Sequence, residues 1–252
     1  MDQRERALAE AFDGQAARFE RAPVQTDPVA LGRMVEFARL QPESRVLDAG
    51  CGPGLVAEAL LAAGHRVHGV DLAGEMVRRA RERCARFGDR ARFEQGSVSV
   101  LALQEPFDAA VSRFVVHHAP DPVAFIRAKS ERVRPGGVVL ASDHVTDPDG
   151  RAAHWHQDIE RARDRTHTRN LTPGELVDAF ARAGLVRLAF AEEEFELDFD
   201  EWFDRGTPAL PKARVRQMVE SGRARGFDPA RRPDGGITIR CMRALARGER
   251  PG

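Results

Sequence analysis

From residue 45 onward, short apolar runs that stop at glycine or aspartate alternate with stretches of helical spacing. This alternation restricts the fold more than any other feature of the chain. "RVLDAG" (45–50) reads as a buried parallel strand, and "LVAEALLAAG" (55–64) as a helix with Gly64 suited to its C-terminal cap. "RVHGVD" (66–71) is a second strand, followed by a helix over 73–87. "ARFEQ" (91–95), "FDAAVSRF" (107–114) and "GGVVLASDH" (136–144) continue the strands, with a helix over 121–133 between the last two. Strands separated by helices specify an α/β fold, a parallel sheet covered on both faces, with ligands at the carboxyl ends of its strands.

Two amphipathic helices, over 3–12 and 28–40, precede this core. The rhythm breaks at 145–170, which is polar, charged and histidine-rich. It resumes with a helix over 172–183, where Thr172, Pro173 and Glu175 make an N-terminal capping pattern. A strand over 185–195, helical pieces near 199–205 and 210–224, and a final strand over 235–247 complete the chain. The expected organisation is a helical cap (1–44), a cofactor-binding core (45–145) and a remainder (146–252) in which 145–170 and 196–230 are lid insertions.

Composition excludes several classes. Lys+Arg and Asp+Glu balance at 39 each, so no basic field draws the chain to nucleic acid. No apolar run reaches the ~18 residues of a membrane span, and "MDQRERALAEAF" lacks the apolar region of a signal peptide. Cys51, Cys84 and Cys241 are odd in number and far apart, which fits a reducing cytoplasm. Cys51 reads as a small filler residue, and His65 and His68 as surface or edge residues. The expected partner is a small molecule, with neither nucleic acid nor membrane.

"VLDAGCGPG" (46–54) carries the chemistry. A glycine-rich turn after a strand lets a backbone approach a nucleotide closely. No lysine lies near residue 54, so a P-loop is excluded. Gly50, Gly52 and Gly54 place the third glycine one residue early for a dinucleotide fingerprint. Asp48 within the strand opposes a pyrophosphate and favours a cationic ligand, and Asp71 at the next strand end can accept ribose hydroxyls or cap a helix. S-adenosylmethionine combines an ammonium, a sulfonium and an adenosine without phosphate.

"VLDAGCGPG", "VDLAGEMVRRAR", "FDAAVSRFVVHHAPDP" and "RVRPGGVVLASD" resemble, in order, the motifs of class I S-adenosylmethionine-dependent methyltransferases. "FDGQAARF", "RDRTHTRNLTPGEL" and "FDEWFDR" resemble the UbiE-like, type 11 subgroup. The resemblance implies a Rossmann-like, doubly wound, mostly parallel seven-stranded sheet with an antiparallel last strand. It implies that Gly50, Cys51, Gly52 and Gly54 line the methionine part of the cofactor and that Asp48 faces its amino group directly or through water. Asp71 would hold the ribose, with Leu72 and Met76 against adenine. Ser97 stands where an aspartate is usual, beside Val98, and Phe19 where a tyrosine is frequent. Arg113 and His118, near the end of the fourth strand, complete the candidate cofactor contacts.

The implied reaction is O- or C-methylation of a ring or enol acceptor. The candidate bases are His118, His144 and His167, each with a structural alternative as a satisfied buried imidazole. Trp155, His156, His167 and Trp202 are expected as pocket walls, and Arg161, Arg163, Arg165 and Arg169 as a solvated face. His154 and His156 are two apart and diverge on a helix, so no metal is expected. The alternatives are a cofactor-binding relative with non-methylating chemistry and a nicotinamide oxidoreductase.

Overall fold

A computed structural model of the chain describes residues 2–100 and 105–252. The alternation predicted from residue 45 produces five parallel strands: β1 (Arg45–Ala49), β2 (Arg66–Asp71), β3 (Ala91–Gln95), β4 (Phe107–Arg113) and β5 (Val133–His144). β6 (Val186–Asp198), β7 (Phe227–Arg231) and β8 (Ile237–Glu249) follow. The sheet order is β3-β2-β1-β4-β5-β8-β6, with β7 on β8, and β8 runs antiparallel to β5, β6 and β7. The order reverses between β1 and β4, the place where an open parallel sheet forms its ligand crevice.

Successive strand residues serve opposite faces. Val46 and Leu140 pack under α3 (Pro28–Ala38), α4 (Leu55–Ala62) and α5 (Gly74–Cys84), whereas Leu47 and Val139 pack under α6 (Pro122–Glu131) and α8 (Pro173–Arg182). Two apolar cores on one sheet make the doubly wound architecture. Thr172 and Glu175 close a reciprocal capping box at the start of α8, as their spacing predicts.

Two expectations change. The first helix, α1 (Gln3–Phe19), runs through Gly14, because its second half buries Ala16 against Ala73 and Met76 of the α5 region. The sheet has eight strands, since β7 forms within the stretch read as an insertion. The insertions themselves are packed. α7 (Gly150–Arg163), α9 (Phe199–Asp204) and α10 (Lys212–Val219) share a third apolar core with Phe227 and Ile239, in which Ile159, Phe199 and Val215 are fully buried. A short α2 (Pro23–Thr26) joins α1 to α3. No helix among the described residues is long and apolar enough to cross a membrane.

Candidate active site

The turn after β1 is pinned to the neighbouring strand, because the Gly50 and Cys51 amides both donate to the Val70 carbonyl (2.8 and 3.1 Å). Gly52 and Gly54 both have positive φ, but for different reasons. A Cβ on Gly52 would meet nothing within 4 Å, so its backbone lies open. A Cβ on Gly54 would sit 2.9 Å from the Ala80 Cα, so this glycine lets α4 start against α5.

Beside the turn lies a cavity of about 330 Å³. Of the predicted cofactor contacts, Phe19, Gly50, Cys51, Gly52, Asp71, Leu72, Met76, Ser97, Val98, Arg113 and His118 line it, and Asp48 and Gly54 do not. α1 supplies a wall that the sequence reading missed: Leu8 and Phe12, an i,i+4 pair on its inner face. Phe12 meets the His118 ring edge-on at 5.0 Å.

Each acid has a distinct setting. Asp71 accepts the Gly52 N–H (2.8 Å) on one carboxylate oxygen and the Ala73 N–H (3.0 Å) on the other. Carboxylate oxygens carrying one bond each keep lone pairs for the cavity, so these backbone bonds leave the expected ribose contact open. Asp48 is buried beneath the turn, and neither of its oxygens has a hydrogen-bond partner among the described residues. Burial, reinforced by Asp71, lifts its pKa to about 7. Asp48 does not line the cavity and lies beneath its glycine turn. Arg113 donates to the Val24 and Gln25 carbonyls and ties α2 to the end of β4. Cys51 is buried, and burial raises its thiol well above the usual range, which fits the filler reading.

A second cavity, of about 70 Å³, shares Phe19, Gln25, Phe114 and His118 with the first. His118, His144 and His167, far apart in sequence, all line it. His117 also lines it, held at 2.5 Å by Asp143. Burial works against charge on His117, but Asp143 raises its pKa overall. Burial, with His117 adding to it, lowers His118 to about 4. The His118 Nδ1 donates to the Thr166 carbonyl (3.0 Å), which leaves Nε2 bearing the lone pair. His167 Nε2 donates to the Gln157 side-chain oxygen (3.0 Å). Phe114, at the junction of the cavities, has φ of 55°, a strained conformation for a bulky residue.

Among the expected walls, Trp202 and His167 line the second cavity, but Trp155 and His156 line neither. Trp155 instead packs edge-on against Phe227 and donates to the Met218 carbonyl. Arg163 departs from the solvated face: it is buried and donates to the Trp202 carbonyl. His65, expected at the surface, is buried as well. No metal is expected from the sequence, in which no cluster stands at ligand spacing. The fold instead brings His156 and Glu160, four apart on α7, together with His144 at the end of β5.

The cavity fits an adenosine ligand that carries positive charge. Asp71 is offered at a strand end, Gly52 is open, and the unpartnered Asp48 carboxylate lies below.

Residues 24–189 match the family described as "Methyltransferase domain". A ubiquinone biosynthesis O-methyltransferase of Xanthomonas campestris is 39% identical over 118 residues, 46% of this chain and 49% of that protein. A counterpart from Nitrosospira multiformis is 33% identical over 120 residues. The chain thus spans about half the length of these curated relatives. The uncharacterized methyltransferase YcgJ of Bacillus subtilis is 28% identical over 210 residues, 82% of each chain. The crystal structure of YcgJ superposes with a TM-score of 0.78 at 26% identity, covering 89% of this chain and 99% of that one.

Proposed function

This chain belongs to the class I S-adenosylmethionine-dependent methyltransferases, and we propose that it methylates an oxygen or carbon of a small ring or enol acceptor held in the second cavity. S-adenosylmethionine is the cofactor, and the nicotinamide alternative falls with the family assignment. The observation that carries the acceptor reading is the junction of the two cavities at Phe19, Gln25, Phe114 and His118. A small acceptor there would sit against the cofactor and a neutral imidazole together.

When bound, the cofactor offers a methyl group on a positively charged sulfur. Asp71 would hold the ribose hydroxyls, Leu72 and Met76 would flank the adenine, and the open Gly52 backbone would border the amino-acid end. Phe114 and Phe19 exclude water where the cavities meet. His118 is neutral, with its lone pair on Nε2, so it can accept the proton of an acceptor hydroxyl or enol as the new bond forms. Alignment at roughly 3 Å supplies most of the remaining acceleration.

The test is a panel of phenols, quinols, enolisable ketones and small amines incubated with S-adenosylmethionine. S-adenosylhomocysteine release and a product heavier by one methylene are the readouts. Turnover of ring or enol compounds is the expected result. Turnover confined to amines, or to protein or nucleic acid, would overturn the reading.

A further inference from the structure

We propose that His144, His156 and Glu160 form a binding site for one divalent transition-metal ion on the side of the second cavity away from the cofactor. Their donor atoms all lie within 4.8 Å of one another, and all three side chains are buried. The Glu160 Oε1 stands 3.7 Å from His144 Nδ1 and 3.5 Å from His156 Nε2. Those separations are long for hydrogen bonds. They are close to the edge of a coordination tetrahedron, roughly 3.3 Å when each bond is about 2.0–2.1 Å.

The outer partners orient both rings. His144 Nε2 donates to the Gly226 carbonyl at 2.9 Å, which can only accept, so Nδ1 carries the lone pair toward Glu160. Gly226 reaches this position with φ of 86°, and a Cβ there would be 2.6 Å from the Val145 oxygen. His156 Nδ1 pairs with the Thr146 hydroxyl at 2.9 Å, and Asn170 Nδ2 lies 3.3 Å from Nε2, so Nε2 is the acceptor. Two lone pairs and one carboxylate therefore converge in a buried space, which a cation satisfies. A histidine that gives its second N–H to a carbonyl or hydroxyl is the usual outer arrangement of a metal ligand. Asn170 Oδ1 is buried without a partner among the described residues. Two imidazoles and one carboxylate select zinc, cobalt or ferrous iron over magnesium or calcium. His144 and Glu160 both face the second cavity, which leaves a coordination position for water or an oxygen of a bound molecule.

The experiment uses the whole chain after dialysis against chelator, with neither S-adenosylmethionine nor acceptor, so its outcome is separate from that of the methyl-transfer reading. Cobalt(II) is titrated by visible absorption and zinc(II) by calorimetry. The expected result is one equivalent per chain, with the intense ligand-field band of a four- or five-coordinate ion that zinc displaces. Glu160→Gln should weaken binding at least a hundredfold. Thr146→Val, which removes only the partner of His156, should weaken it about 10–100-fold. His154→Ala, at an exposed position of the same helix, should leave it unchanged. Absence of stoichiometric uptake, a weak octahedral spectrum, or binding that survives Glu160→Gln and is lost in His154→Ala would overturn the site. If Glu160→Gln fails to fold, the wild-type spectrum and Thr146→Val decide the question.

Discussion

Asp48 is a carboxylate whose oxygens have no hydrogen-bond partner within 3.5 Å among the described residues, set under the backbone that a charged ligand must approach. Burial first, and Asp71 second, lift its pKa to about 7. A raised carboxylate holds its proton in the folded state over a range where the unfolded chain has lost it. Its contribution to apo stability is therefore full below the ordinary aspartate value of 3.8 and is lost as pH rises through about 7. Ligand binding runs the other way, because a cationic ligand favours the ionised form. S-adenosylmethionine affinity should rise from pH 6 to pH 8, approaching tenfold per unit below the pKa. Asp48→Asn should flatten that dependence and bind more weakly at pH 8, as calorimetry at three pH values can read. Parallel profiles in the two proteins would remove Asp48 from binding. His118 makes a second residue-scale prediction. Held near 4 by burial and by His117, it is already neutral across the physiological range. At saturating cofactor kcat should stay flat from pH 8 to pH 6 and fall only toward pH 4, and His118→Ala should lower it roughly 10²–10⁴-fold. A limb at pH 6 to 7 that His118→Ala abolishes would contradict the buried setting.

At the level of elements, sequence periodicity served where a segment buries one regular face. β3 coincides with the run read as "ARFEQ", and α8 begins at its capping box. It failed where pairing comes from a distant partner. β7 contains Pro229 and two charged residues and, among the described residues, has β8 as its strand partner, so its own composition reads as loop. The cofactor cavity was largely legible because its residues sit on strand ends with a strong local signature. Several histidines of the second cavity were legible too, but the cluster of His144, His156 and Glu160 was not, because only α7 folding back onto β5 brings them together. Gly54 shows a motif residue whose reason differs from the expected one. It has φ of 83° and no room for a Cβ against Ala80, yet it does not line the cavity. Gly54→Ala should cost about 2–4 kcal/mol in chemical denaturation, combining left-handed strain and overpacking. The protein that remains folded should bind S-adenosylmethionine nearly as tightly as wild type. A large affinity loss at unchanged stability would return Gly54 to the binding surface.

For the whole molecule, the three apolar cores packed on the sheet share one strand. β8 joins β5 to β6 and also carries β7, and its residues belong to each of the three cores: Ala244 and Ala246, Leu245, and Ile237 with Ile239. Removing residues 237–252 should therefore abolish cooperative unfolding and cofactor binding together, as circular dichroism melts and calorimetry would show. Retention of a sharp melt would mean that the five parallel strands stand without it. The position of this strand also sets a timetable. β5 ends at His144 and β8 starts at Ile237, so a nascent chain emerging at about 5–20 residues per second leaves the β5 edge unpaired for roughly 5–20 s. During that interval Val139 and Leu140 have β4 on one side and lack their β8 partners on the other, and the third core lacks Ile237 and Ile239. Ribosome pausing between these two strands would lengthen the exposure, so the yield of this protein in a cell is tied to how quickly its last third is translated and to the chaperones that meet it.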